Sequence, residues 1–191
     1  MLFTPNPNHF NYYGNRSSTR LKNNYFLNIE GVFNFDDIYS SEVNRIKDSG
    51  TFVEIGILYG KSTAWMAEAI KDSNKNIDFY AIDNNISIYL NDNLKPIKDY
   101  VTVLESDSVK ASENFKDKSI DFVFIDGDHT YDGVINDLKA WDKKIKDGGT
   151  IAGHDYIKNS RNDKIEVWEA VNDFYGLGNV MKVRTSWYVR K

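Results

Sequence analysis

The sequence predicts an α/β fold, a three-layer sandwich in which helices cover both faces of a mostly parallel sheet. Five short apolar runs rich in β-branched residues, at 51–55, 77–82, 100–104, 120–125 and 150–153, have the look of strands buried on both faces. Segments of helical character lie between them, at about 61–72, 86–95, 108–115 and 131–146. Strand and helix keep alternating along the chain, which implies right-handed crossovers between parallel neighbours.

Residues 1–30 are rich in Asn, Tyr and Phe and read as an irregular arm or lid, with Tyr12, Tyr13, Tyr25 and Phe26 as candidates to cover a bound acceptor. A helix is expected from Phe35 to Lys47, with Ile38, Val43 and Ile46 turned inward. The chain thus divides into an arm with a helix, 1–45, and a main domain, 46–191, within one globular unit. In the segment 131–146, Tyr131, Val134, Ile135, Leu138, Trp141 and Ile145 recur at spacings of three and four and form one apolar face. Gly148 and Gly149 are expected to end that helix. A further helix at about 164–175 carries Trp168, expected in the core, and NVMKVRTSWYVRK reads as two short strands.

A length of 191 residues suits one domain with a full core. A net charge of −4 and a pI near 5.4 give no electrostatic case for a nucleic-acid partner. The absence of cysteine excludes disulfides, thiolate metal sites and a cysteine nucleophile, and suits a reducing compartment. MLFTPNPNHF lacks a basic start and an apolar run, so no secretory leader is expected. No apolar stretch approaches the roughly 20 residues of a membrane span. The expectation is a cytoplasmic protein with neither nucleic acid nor membrane as partner; a homo-oligomer is compatible with the sequence.

The first strand runs through Glu54 into a turn bounded by Gly56 and Gly60, and then into a helix opened by Lys61 and Ser62. Glycines allow close approach of a ligand to the backbone, and the helix start offers free N–H groups. Glu54 can accept from a ligand amine or hydroxyl. A phosphate-binding loop, G-x-x-x-x-G-K-[ST], would end as Gly60-Lys61-Ser62 does, and would make the chain a nucleotide hydrolase or kinase. Yet Ile55 stands where its first glycine belongs, and three residues rather than four separate Gly56 from Gly60. A plain packing turn is the third reading. Asp83, ending the second strand, is placed to accept both hydroxyls of a ribose. Asp107 and Ser108, after the third, are placed to bracket a base.

The segment from Phe122 to Tyr156 carries the densest chemistry. Asp126, Asp128 and His129 follow one strand, and His154 and Asp155 end the next. Strand carboxyl ends are where open α/β sheets gather ligands. Asp128 or Thr130 can cap the intervening helix, and Tyr131 is expected to pack on the sheet.

Together these residues resemble the class I S-adenosylmethionine-dependent methyltransferases. Within them the chain is similar to the small metal-assisted O-methyltransferases of the catechol and macrolide-sugar types, over roughly residues 50–190. The resemblance implies a Rossmann-like, seven-stranded sheet with the last strand antiparallel. It places Glu54, Gly56, Gly60 and Ser62 around the methionine part of the cofactor, Asp83 at the ribose, and Asp107 and Ser108 at the adenine. Asp126 then borders the cofactor and, with Asp155 and His154, holds a divalent ion, usually magnesium. His129 is the implied general base, and the acceptor a hydroxyl of a small molecule or sugar. The family has a carboxylate where this chain has His154. Either His154 turns elsewhere, or the ion is softer than magnesium, or no ion binds. A methyltransferase-like domain without activity is the remaining alternative.

Overall fold

The computed structural model describes residues 21–162 and 164–191. Its strands are β1 (Ser49–Ile55), β2 (Asn76–Asp83), β3 (Thr102–Glu105), β4 (Ile120–Ile125), β5 (Ile145–Gly153), β6 (Met181–Val183) and β7 (Ser186–Arg190). They form one seven-stranded sheet in the order β3-β2-β1-β4-β5-β7-β6. The first five pair in parallel, and β7 inserts antiparallel between β5 and β6. The helices are α1 (Asp36–Arg45), α2 (Lys61–Ser73), α3 (Leu90–Leu94), α4 (Ser108–Ser112), α5 (Tyr131–Trp141) and α6 (Val167–Tyr175).

Side chains alternate across a strand, and this alternation makes the two cores. Phe52, Phe79, Phe122 and Phe124 join residues of α1, α2 and α3, among them Ile38, Tyr39, Val43 and Trp65. Val53, Val123, Ile125 and Ile151 join residues of α4, α5 and α6, among them Leu138, Trp141 and Val171. Burying each such side chain stabilises by about 1.5–3 kcal/mol. Trp168 lies at the edge of the second core, partly buried, with the Lys158 ammonium over its ring. Residues 21–28 are tied to α2: Asn23 and Asn24 N–H groups donate to Glu68, and Lys22 N–H donates to Asp72. Tyr25 and Phe26 pack against the first core, while Tyr12 and Tyr13 lie outside the described residues.

Several boundaries differ from the sequence reading. The helix 131–146 ends at Trp141 and passes through a 3₁₀ turn, so β5 begins at Ile145, five residues before its expected start. Gly148 and Gly149 therefore do not stop a helix. They form a wide bulge in β5, where the register jumps from Ile120–Ile145 to Phe122–Thr150. Gly148 N–H donates to the Lys191 carbonyl, and Lys191 N–H donates to that of Gly149, a pairing with the far end of the chain. The segment 86–95 is helical only over Leu90–Leu94, and a 3₁₀ turn at Lys95–Tyr100 delays β3 to Thr102. Pro96 lacks the N–H that would continue an α-helical ladder. α6 begins at Val167, after a turn, rather than near 164. Among the described residues no helix is long and apolar enough to cross a membrane.

The strand ends continue to pair as they enter the loops. Gly56 N–H donates to Ile82, Ser106 to Asp83, Asp126 to Ile55 and His154 to Ile125. At Gly56, φ is +89°, and an added Cβ would stand 2.1 Å from the Asp126 carbonyl oxygen. Gly56→Ala is therefore expected to destabilise by about 2–4 kcal/mol, from backbone strain plus overpacking. Chemical denaturation checks it: a loss within the scatter of exposed-surface variants would contradict this account of the β1–β4 crossing.

Candidate functional site

The carboxyl ends of β1 to β5 open on one cleft of about 1280 Å³. Gly56, Ser62, Asp83, Asp107, Ser108, Asp126, His129, His154 and Asp155 all line it. Of the residues read from the sequence as cofactor, metal or base positions, Glu54 and Gly60 are not part of its lining.

Glu54 is fully buried. Its carboxylate accepts from Tyr39 Oη at 2.9 Å, from Thr63 Oγ1 at 2.6 Å and from the Ser62 hydroxyl. Burial raises its pKa to about 7; the three hydroxyls oppose that rise, and Asp126 adds to it. Glu54 thus fastens α1 and the start of α2 to the end of β1, with Ser62 at the cleft margin. Gly60 adopts φ +84° at the entry to α2 and donates its N–H to Ile57.

Asp83 closes the turn from the other side. One carboxylate oxygen accepts from Ile57 N–H at 2.8 Å and Leu58 N–H at 3.3 Å, and the other accepts from Asn85 N–H. Four turn N–H groups, those of Gly56, Ile57, Leu58 and Gly60, are consequently engaged. A phosphate cradle needs such groups free, and here the Asp83 carboxylate takes those of Ile57 and Leu58 while the Ile82 and Ile57 carbonyls take those of Gly56 and Gly60.

Asp107 caps α4 by accepting from Lys110 N–H at 2.9 Å. Ser108 accepts from Trp141 Nε1–H at 2.9 Å and hydrogen-bonds Asp137. Asp137 was not visible in the sequence, where it merely interrupts the apolar face of α5. It is 5% exposed, and burial raises its pKa to about 6, with Asp107 and Asp128 contributing.

At the other end, Asp126, His154 and Asp155 bring one ligand atom each to within 4.8 Å of one another. His129 Nε2 reaches Asp126 Oδ1 at 3.2 Å and Asp155 Oδ2 at 3.4 Å. That hydrogen bond to Asp126 is the chief cause of a raised His129 pKa, against burial and with help from Asp155 and Asp128. His154 Nδ1 stands 3.4 Å from Asp155 Oδ1 and 3.8 Å from Asp126 Oδ1. Asp155 is held below the usual carboxylate range, first by His154 and then by His129, against burial. It sits at φ +52°, a backbone strain that turns its carboxylate into the cluster. Asp126, Asp155 and the imidazole of His154 are the donors that could hold a divalent cation, with His129 beside them.

The loop before α5 is held by its neighbours. Thr130 caps the helix by accepting from Gly133 N–H, and Asp128 accepts from Thr130 N–H. Glu166, unremarked in the sequence, donates its N–H to the His129 carbonyl and accepts from Tyr131 N–H. Tyr131 Oη donates to Asp173 on α6, so the ring serves the α5–α6 contact.

Among the described residues, seven carboxylates line the cleft (Glu30, Asp83, Asp107, Asp126, Asp128, Asp137 and Asp155), against one lysine, Lys61. Such a lining gives the cleft a negative potential, which favours cationic groups.

Asp137 yields a pH prediction. Its folded pKa, about 6, lies above the ordinary 3.8. The folded state therefore holds the proton more tightly, and stability falls as pH rises from about 4 through 6. Asp137→Asn removes that penalty. At pH 7.5 it is expected to be more stable than the parent by about 1–3 kcal/mol, with the gain vanishing below about pH 4. Thermal melts across pH test this, and a gain that is equal at pH 3.5 and 7.5 would rule out buried ionisation as its cause.

Comparison with known proteins agrees with this architecture. A family model described as a methyltransferase domain matches residues 53–156, from β1 to just past the His154–Asp155 pair. An uncharacterized protein of Acanthamoeba polyphaga mimivirus is 32% identical over 120 residues, 58% of this chain and 53% of that protein. The chain spans about half the length of this curated relative. Among solved structures, a candidate O-methyltransferase from Klebsiella pneumoniae superposes with a TM-score of 0.65 at 18% identity, covering 90% of this chain and 87% of that one. The mycinamycin-pathway methyltransferase MycE, in complex with Mg, SAH and mycinamycin VI, superposes with a TM-score of 0.57 at 13% identity, covering 82% of this chain and 48% of that one. At such identities the likeness is one of fold, whereas the family model covers more than half of the chain, from the glycine turn to the acid–imidazole cluster. This chain belongs to the methyltransferase-domain family, on the class I fold.

Proposed function

We propose that the chain transfers a methyl group from S-adenosylmethionine to a hydroxyl of a small molecule or sugar, with a divalent ion assisting. The observation that carries this reading is the meeting, in one cleft, of the glycine turn with Asp83 and the cluster of Asp126, His129, His154 and Asp155. The acidity of the cleft supports a cationic sulfonium donor over a nucleoside triphosphate, whose charges would face seven carboxylates and one lysine. The engaged N–H groups of the turn weigh the same way.

The residues divide the work by position. The open N-terminus of α2, at Lys61 and Ser62, suits a carboxylate of the donor. Asp83 is placed for the ribose, and the wall of Asp107, Ser108 and Asp137 for the base. Asp126, His154 and Asp155 would hold the ion, which when bound lowers the pKa of an acceptor hydroxyl and orients it. His129 takes the hydroxyl proton at Nε2 as the O–C bond forms. The S–C bond breaks in line, leaving a neutral thioether that needs no acid. His129 must be neutral to do so; Asp126 and Asp155 raise its pKa, and a cation shared by those carboxylates opposes that rise.

S-adenosylhomocysteine at a hundred times its Kd is expected to stabilise the protein by about 2.7 kcal/mol in a thermal-shift experiment, and a divalent ion to add to the effect. Stabilisation by ATP with magnesium alone would sink the methyltransferase reading. His129→Ala is expected to lower turnover by about 10²–10⁴-fold while leaving S-adenosylhomocysteine affinity within about twofold. Undiminished turnover would remove His129 from the mechanism.

A further inference from the structure

We infer that the Asp126–His154–Asp155 cluster selects a borderline first-row ion, of the iron-to-zinc series, over magnesium. This rests on the reading of the cluster as a metal site, and it follows from how His154 is held.

The imidazole of His154 has no freedom to turn toward an acceptor. Its Nε2 lies 2.9 Å from Asn34 Oδ1 and 3.0 Å from Thr185 Oγ1. Asn34 Nδ2 donates toward the same Thr185 hydroxyl at 3.5 Å, which leaves Oδ1 to face the ring. A carboxamide oxygen only accepts, so Nε2 carries the proton of the neutral ring. Nδ1 is then the ring nitrogen turned toward Asp126 and Asp155, and its lone pair is the one a bound ion would take. A histidine whose outer N–H is taken by a carbonyl oxygen, and whose inner nitrogen faces two carboxylates, has the arrangement of a metal ligand.

The outer partners come from distant parts of the chain. Asn34 precedes α1, and Thr185 lies in the turn between β6 and β7. Arg184 binds the two together by donating to the Asn34 carbonyl at 2.8 Å and pairing with Asp37 at 3.0 Å. Phe35 closes over the imidazole, with ring centroids 5.1 Å apart. Ring and tautomer are thus fixed from outside the cluster.

The donor set then decides the ion. Magnesium is hard, prefers oxygen, and gains little from imidazole. The first-row divalent ions bind imidazole increasingly well from manganese towards copper, with zinc also well served. A fixed neutral imidazole beside two carboxylates therefore separates the two classes of ion, where three carboxylates would do so less.

The test is calorimetric titration of the metal-stripped full-length protein with cobalt(II) and separately with magnesium(II), for the parent, His154→Asp and Asn34→Ala. The parent is expected to bind cobalt at least about 100-fold more tightly than magnesium. His154→Asp should narrow that ratio by about tenfold or more, and Asn34→Ala should weaken cobalt binding by about 10–100-fold. The cobalt visible spectrum supplies a second readout, shifting when an imidazole ligand is lost. Magnesium binding as tight as cobalt in the parent, or an unchanged ratio in His154→Asp, overturns the selectivity and leaves the metal site standing. If His154→Asp fails to fold, the parent ratio and Asn34→Ala still decide. Absence of binding by either ion overturns the metal site itself.

Discussion

The register of the parallel strands is the constraint on which the site depends. β3, β2, β1, β4 and β5 lie side by side, and just beyond the last residues of β3, β1, β4 and β5 a backbone N–H donates to the neighbouring strand, β2 accepting from both sides. Gly56, Asp83, Asp126 and His154 are thereby set along one edge at the spacing of the sheet, about 4.8 Å between adjacent strands. Backbone pairing, buried on both faces by aromatic and branched side chains, fixes where the carboxylates begin. The side chains only finish the placement. This is why Gly56 tolerates no Cβ: the close approach of β1 and β4 is itself part of the site.

Around that frame, buried polar groups act as fasteners. Glu54 gathers three hydroxyls from α1 and α2, and the Ser108–Trp141–Asp137 chain joins α4 to α5. Each carries a folded-state pKa above the ordinary carboxylate value, a sign that the protein sustains unfavourable ionisation there in exchange for position. Glu166 and Thr185 do comparable work from the opposite side of the cleft.

Much of this was legible in the sequence because it is local. β-branched runs between helical segments revealed the sheet, and the glycine turn and the acids that end strands fell where they were read. What escaped is what distant pairing decides. β5 starts early because Ile145 meets Ile120 and because Lys191 closes the bulge at Gly148 and Gly149, so two glycines that look like a helix stop are not one. Asp137 escaped because a lone acid in an apolar helical face gives no hint that a neighbouring helix will bury it. The orientation of His154 depends on Asn34 and Thr185, which lie 120 and 31 residues away, and no spacing rule connects them.

The acidity of the cleft also bears on turnover. In the proposed reaction the donor enters as a sulfonium cation and leaves as a neutral thioether. A pocket lined by seven carboxylates and one lysine attracts the first more strongly than the second. The spent cofactor thus loses, in the chemical step itself, part of the attraction that held its precursor. In that reaction the charge of the walls would favour release of the spent cofactor over its precursor.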